Sequence, residues 1–221
     1  EEPAELSFRA GQFLSIRCPA DGKDERRAYT LSSPPEESGE LELLVKLAPA
    51  GVGSDFFRRL APGDAIPFTG PMGFFVCDPV HAGDVVLGAT GSGIAAALPM
   101  IRALTKRPLE DEGGKVQLFW GLRREADVFW RGRLEAIAER SPRFSYQICL
   151  SGPGPGWTGA RGRITEHVLA AVPLLRAPVL YLVGNGDMIR ELKQVLVQRG
   201  LDRKKQIRTE DYQDYIRSSL R

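Results

Sequence analysis

Gly88-Ala89-Thr90-Gly91-Ser92-Gly93-Ile94-Ala95-Ala96 closes one apolar run, 84–89, and opens a longer one, 94–106. The first has the length and the paired valines of a strand, and the second the length of a helix, so the glycines between them mark a strand-to-helix turn. A turn of that kind leaves backbone amides free at the positive end of a helix dipole, where a phosphate is favoured. Gly91, Gly93 and Ala96 fit the spacing of a dinucleotide fingerprint, yet the acid expected near the end of the next strand is missing, and Arg123 and Arg124 stand there. Taken alone, the match serves equally well as a tight turn that needs glycine for packing. Pro99 predicts that the regular helix starts near Leu98, because proline is tolerated best in a first turn.

Downstream, strand-like 84–89, 116–120, 144–150 and 179–183 alternate with helix-like 94–106, 131–140, 164–172 and 187–199. This alternation predicts βαβ units and a parallel sheet. In the last helix Asp187 is placed to cap, Ile189, Leu192, Val195 and Leu196 repeat at helical spacing, and Gly200 ends it. Upstream the rhythm differs. Short strands at 12–16, 27–32, 41–47, 65–69 and 74–76 are broken by Pro34-Pro35, Ala50-Gly51-Val52-Gly53, Pro62-Gly63-Asp64 and Gly70-Pro71-Met72-Gly73. Closely spaced strands with such turns predict a small antiparallel β-barrel or sandwich. The change comes after Asp78-Pro79, which divides the chain into an all-β domain at 1–79 and an α/β domain at 83–214.

Composition narrows the function classes. With 221 residues and 43% hydrophobic content the chain can bury two modest cores. The 30 basic and 28 acidic residues are interspersed, which argues against a nucleic-acid partner. The longest apolar run, 94–98, falls far short of the roughly 20 residues that span a bilayer, so a cytoplasmic protein with no membrane span is expected. Cys18, Cys77 and Cys149 are too scattered for a disulfide framework or a Cys-rich metal site, and His81 and His167 have neither metal nor triad spacing. The chain opens at Glu1-Glu2-Pro3 as if cut from something longer.

A second ligand-binding stretch lies in the all-β part. In Arg27-Ala28-Tyr29-Thr30-Leu31-Ser32-Ser33, strand alternation puts Arg27, Tyr29 and Leu31 on one face and Ala28, Thr30 and Ser32 on the other. A guanidinium pairs with phosphate, a phenol covers a planar heterocycle, and a hydroxyl bonds a ring nitrogen. A flat anionic ligand, a flavin, fits that set; in isolation a half-buried edge strand whose polar residues face water is the favoured reading. Gly51-Val52-Gly53-Ser54 precedes a helical 55–60, and its helix start is a further anion site or an ordinary N-cap.

Taken in order, Gly11-Gln12-Phe13, Arg27 to Ser33, Gly51 to Ser54 and Gly70-Pro71-Met72-Gly73-Phe74-Phe75 resemble the flavin domain of the ferredoxin–NADP reductase superfamily. Gly91-Ser92-Gly93-Ile94-Ala95, Gly121-Leu122-Arg123 and Gly184-Asn185-Gly186-Asp187-Met188 resemble its nicotinamide-nucleotide domain. The seven motifs keep the family's order across nearly the whole chain. The resemblance implies FAD and either NADH or NADPH as cofactors. It puts Arg27 on the FAD pyrophosphate, Tyr29 on the isoalloxazine and Thr30 near N5, with Leu31 in the same strand. Gly51, Gly53 and Ser54 complete the phosphate cradle, and the backbone of Val45, Lys46 and Leu47 runs along the flavin. Thr90, Gly91, Ser92 and Gly93, with Arg123, meet the dinucleotide, and Gly184, Asn185, Gly186, Asp187 and Met188 lie beside the nicotinamide. Glu210 and Tyr212 resemble the family's terminal acid and aromatic pair, which makes Tyr29, Thr30 and Glu210 the implied catalytic set.

The implied activity is hydride transfer from NAD(P)H to FAD, followed by single-electron delivery to an acceptor. That acceptor is a ferredoxin, another iron–sulfur or haem protein, a flavodoxin, a quinone or free flavin, because three cysteines cannot hold a four-thiolate cluster. Two other readings stay open: a non-catalytic flavin- or nucleotide-binding regulatory module, and a reductase fragment of a ferric or cytochrome reductase. The chain departs from the family at three places. Val183 stands where many relatives have a cysteine, Ala96 replaces a proline, and only ten residues precede Gly11, so an incomplete barrel is expected. For the choice of dinucleotide, Gly156-Trp157-Thr158-Gly159 and Gly162 resemble NADH-using oxygenase reductases, while Arg123, Arg124, Arg161 and Arg163 are candidates to meet a 2′-phosphate.

Overall fold

The computed structural model describes residues 6–20, 23–36, 39–106 and 114–212. Glu1-Glu2-Pro3 and positions 213 and 214 lie outside the described residues. Strand β1 (Phe13–Ala20) pairs antiparallel with β2 (Lys23–Thr30) on one side and β3 (Phe68–Met72) on the other. Leu14, Ile16 and Cys18 alternate inward along β1 and are buried with Phe8 and Leu31. Helix α1 (Val52–Arg59) covers this core with Val52, Phe56 and Phe57.

Three expected strands fall differently. Residues 41–47 follow an irregular path with a single bridge, Leu31↔Leu43. Ser32 and Ser33 bond the Glu42 backbone there, and Leu44 turns away to pack on the second domain's core, so the pleat is not continued. The strand expected at 65–69 lies at Phe68–Met72, and 74–76 forms none. Phe75 is drawn into the second domain's core, against Tyr181, while Phe74 is fully exposed. Among the described residues the all-β part is thus a three-stranded antiparallel sheet rather than a closed barrel.

The second domain is a six-stranded parallel sheet in the order β7-β6-β5-β4-β8-β9. Its strands are β4 (Val85–Thr90), β5 (Val116–Leu122), β6 (Phe144–Leu150), β7 (Ala160–Arg161), β8 (Val179–Gly184) and β9 (Ile207–Asp211). Helices α2 (Ile94–Thr105) and α3 (Arg131–Arg140) pack on one face, and α4 (Ile164–Ala171) and α5 (Gly186–Gln198) on the other. Alternation along β4 explains both cores: Val85, Leu87 and Ala89 enter the first and Val86 the second.

Helix α2 begins at Ile94, four residues before the expected start, with Pro99 inside it. An interior proline costs about 3 kcal/mol. Ile94, Leu98, Met100, Ile101 and Leu104 are all buried, and each such side chain is worth about 1.5–3 kcal/mol, so burial prevails. The cap of α5 is Asn185, whose side chain accepts from Met188 N at 3.1 Å, in place of the expected Asp187. The short strands β7 and β9 carry charged residues and read as loop in sequence; β9 forms because it pairs parallel with β8 and buries Ile207. No helix among the described residues is long and apolar enough to cross a membrane.

Candidate active site

A cleft of about 1270 Å³ opens beyond the carboxyl ends of β4, β5, β6 and β8. Crevices of parallel sheets lie there because the helices that follow the strands direct their amide ends toward them. One wall consists of Thr90, Gly91 and Ser92 after β4 and of Gly184, Asn185, Asp187 and Met188 after β8. The facing wall comes from the all-β domain, as Leu44, Val45 and Lys46, and Tyr212 lines the same space.

The two turns of the first wall touch. Gly184 has φ +117°, and a Cβ on it would fall 2.7 Å from the Thr90 carbonyl oxygen and 2.3 Å from Thr90 Oγ1. The same hydroxyl accepts from Asn185 N at 2.8 Å. Gly91, at φ +54°, has open space where a Cβ would lie, and its carbonyl accepts from Trp120 Nε1 at 2.9 Å. No side chain caps the 3₁₀ turn Gly91–Gly93 or helix α2. Room beside uncapped amides is what a dinucleotide pyrophosphate requires.

Arg27 and Tyr29 lie on the β2 face toward α1. A Cβ on Gly53 would collide with Tyr29 OH at 2.4 Å and would touch Arg27 Cγ at 3.4 Å, so a side chain there would displace the tyrosine. Helix α1 has Gly51 as its N-cap and no side-chain cap bond, which leaves its first amides beside Arg27. A guanidinium next to uncapped amides suits a pyrophosphate, and the residues present fit FAD at this point. The Arg27 guanidinium is held by the Glu25 carboxylate and the Arg26 carbonyl. Tyr29 meets Phe57 edge-on with centroids 4.8 Å apart, and burial pushes its phenol up to about 12. Ser54 Oγ accepts from Ala48 N at 2.9 Å and so anchors the end of the 44–48 wall.

Thr30 points to the other face of β2, where its Oγ1 lies 2.9 Å from Tyr212 OH. Leu31 is wholly buried in the β-domain core, Gly93 and Gly186 are buried behind the cleft wall, and Leu47 and Gly51 are exposed outside it. Glu210 and Tyr212 part company. Tyr212 reaches the main cleft, whereas Glu210 lines a separate hollow of about 260 Å³ with Phe74, Phe75, Arg208 and Thr209. Burial pushes the Glu210 carboxyl up to about 7, and it has no hydrogen-bond partner among the described residues. Val183 is buried in the core and does not line the cleft.

At the far end of the cleft Arg123 and Arg124 line the wall with Ser151, and neither arginine makes an ion pair among the described residues. Arg161 is turned onto the carbonyls of Gly154, Pro155 and Trp157, and Arg163 pairs with Glu191 at 2.8 Å. Sequence reading missed Leu44, Asp127 and Phe129 as cleft residues. The Phe129-Trp130 pair just ahead of α3 was a usable signal; nothing local marked Leu44. Among the described residues no cluster of His, Cys, Asp or Glu is arranged to hold a metal.

Residues 1–76 match the model of the oxidoreductase FAD-binding domain and residues 87–194 that of the oxidoreductase NAD-binding domain. The chain is 32% identical over 194 residues to ferredoxin–NADP reductase B of Sorangium cellulosum (strain So ce56), covering 85% of this chain and 78% of that one. It is 34% identical over 168 residues to the reductase component of phenol 2-monooxygenase from Pseudomonas sp. (strain CF600), covering 75% of this chain and 46% of that one. The crystal structure of an Amycolatopsis cytochrome P450 reductase superposes with a TM-score of 0.84 at 30% identity, over 94% of this chain and 62% of that one. The chain thus spans about half to two thirds of the length of the last two.

Proposed function

The chain belongs to the ferredoxin–NADP reductase superfamily of FAD-dependent NAD(P)H oxidoreductases, and from that premise we propose that it is the reductase half of an electron-transfer pair, serving a separate iron–sulfur or haem protein. One observation carries this reading: a single cleft has the phosphate turns of one domain on one side and the 44–46 segment of the other facing them. The chemistry supplied by a bound FAD is acceptance of a hydride and release of its electrons one at a time. Arg27 and the first amides of α1 would hold its pyrophosphate, and Tyr29 and the 45–47 backbone would border its ring. Thr30 would offer its hydroxyl near the ring edge. On the other wall, Thr90, Gly91 and Ser92 would bind the dinucleotide phosphates and Gly184 to Met188 would seat the nicotinamide. The protein's contribution is to hold two rings at reacting distance with water excluded.

The three cysteines are separate and buried, so they are not arranged to hold an iron–sulfur acceptor centre. For the dinucleotide, Arg123, Arg124 and Ser151 present cations and a hydroxyl to the adenosine end; Arg163 lines the same cleft while paired with Glu191, and Arg161 is turned onto loop carbonyls. Both NADH and NADPH are accepted on this reading, NADPH gaining from the two arginines at low salt.

The test is anaerobic mixing of the FAD-loaded protein with each nucleotide in turn, followed by addition of a ferredoxin or a cytochrome. Bleaching of the flavin by either nucleotide, then reoxidation by a protein acceptor, is expected. A full-length protein that takes up no flavin, or holds FAD that neither nucleotide reduces, sinks the reading.

A further inference from the structure

The 44–46 wall is held chiefly at its ends. Among the described residues Val45, Lys46 and Leu47 make no hydrogen bond; Ala48 is fixed by Ser54 and Arg58, and Glu42 by Ser32 and Ser33. The Glu42 end also crosses to the other domain. Arg133 Nη1, on α3, donates to Glu42 Oε1 at 2.7 Å and to Oε2 at 3.0 Å. Ser32 Oγ adds a bond to Oε1 at 3.2 Å.

Arg133 in turn continues a ladder of rings. Its guanidinium lies 4.5 Å from the Trp130 ring centroid; Trp130 meets Phe129 edge-on at 5.3 Å, and Phe129 meets Trp120 at 4.9 Å. Trp120 ends the series on the Gly91 carbonyl. A continuous set of packed and bonded groups therefore runs from the phosphate turn of one domain to the cleft wall supplied by the other. Trp130 is held at φ 55° in the left-handed region, which a bulky residue adopts only when its surroundings impose it.

We propose that Glu42 and Arg133 are positioning residues for hydride transfer: they brace the 44–46 wall against the Gly91 turn, so that the two sides of the cleft keep one spacing. The inference rests on the function proposed above. Such transfer tolerates little error, since a displacement of about 1 Å costs on the order of a hundredfold in rate. Both side chains of the pair are more than one-third exposed, and a pair that exposed adds little to global stability. A loss of rate without a loss of fold is therefore the signature of a brace.

The experiment compares R133M, E42Q and the charge-exchanged E42R/R133E with wild type, using the FAD-loaded full chain. The limiting rate of anaerobic flavin reduction is expected to fall at least about tenfold in both single variants. FAD content and nucleotide affinity stay within about twofold of wild type, the nicotinamide–flavin charge-transfer absorbance weakens, and the exchanged pair recovers most of the rate. R133K, which keeps the cation without the planar group over Trp130, falls between. In the FAD-free protein, hydrogen exchange of the Ser32 and Glu42 amides becomes roughly tenfold faster in R133M than in wild type. Single variants that reduce flavin at the wild-type rate, or lose rate only in proportion to lost FAD, overturn the brace. Unchanged exchange at Ser32 and Glu42 does so too. A wild type that no nucleotide reduces defeats the proposed function instead, and the exchange measurement, made without FAD, still decides whether the brace exists.

Discussion

The hydroxyls of Thr30 and Tyr212 lie 2.9 Å apart although 182 residues separate them. Thr30 ends β2 of the all-β domain and Tyr212 follows β9 of the parallel sheet, so the bond joins the two domains at the cleft. A neutral hydrogen bond of this kind is worth about 1 kcal/mol. Thr30→Ala should retain FAD and reduce it at least about tenfold more slowly, since it removes the hydroxyl proposed to lie near the ring edge and a domain contact together. Tyr212→Phe, which keeps the ring, should remove the contact with Thr30. Stopped-flow reduction with FAD content measured in parallel separates the two, and equal rates in Thr30→Ala and wild type would misplace Thr30.

Arg27→Ala should weaken FAD retention. A hydrogen bond to a charged group is worth roughly 1.5–3 kcal/mol, which corresponds to a dissociation constant raised on the order of tenfold to a hundredfold. Titration of flavin-free protein with FAD, followed by flavin fluorescence, gives the number. The rate of reduction of the FAD that does bind should be near wild type, since Arg27 lies at the α1 end of the site and not at Thr30.

Gly184→Ala tests the contact between the two dinucleotide turns. Its φ of +117° is unfavourable for alanine, and the new Cβ would press on the Thr90 backbone carbonyl, which cannot swing away as a side-chain tip can. A loss of about 1–3 kcal/mol in thermal or denaturant unfolding is expected, with weaker nucleotide binding. Gly91→Ala provides the contrast: its Cβ meets nothing in the protein, so the strain of φ +54° remains, and the larger effect should fall on the dinucleotide.

Glu210 makes stability depend on pH. Its carboxyl is raised from an ordinary 4.5 to about 7 by burial, so the folded protein holds a proton that the unfolded chain releases. Well below about pH 4.5 the group is neutral in both states and ionisation adds no cost. Between that and about pH 7 stability falls, by an amount on the order of 3 kcal/mol when complete. Glu210→Gln should match wild type near pH 4.5 and exceed it in melting temperature at pH 8. Parallel pH profiles of the two proteins would refute the assignment.

Arg123→Ala combined with Arg124→Ala should raise KM for NADPH several-fold more than KM for NADH. The NADPH advantage of the wild type should shrink as salt rises, because exposed charges are screened within about 10 Å at 0.1 M. Competition by 2′,5′-ADP checks the same site without catalysis. Equal changes for both nucleotides would place the 2′-phosphate elsewhere.

The alternation of β4, β5, β6 and β8 with α2, α3, α4 and α5 was determined by the sequence alone, because apolar spacing and glycine turns act over a few residues. The turns at Gly51 to Ser54, Gly91 to Gly93 and Gly184 to Met188 were readable for the same reason, as was the family. Tertiary structure decided what depends on distant partners. Residues 41–47 carry strand-like residues, yet Ser32, Ser33 and the second domain's core redirect them. Pro99 sits inside α2 because burial outweighs its local cost, and β9 exists because β8 offers it a free edge. Glu210 and Tyr212, two positions apart, line different hollows, since Glu210 lies within β9 and Tyr212 beyond its end at Asp211, where strand alternation no longer sets the direction of the side chain. That Thr30 meets Tyr212 and Glu42 meets Arg133 follows only from how the two domains pack, which no local pattern encodes.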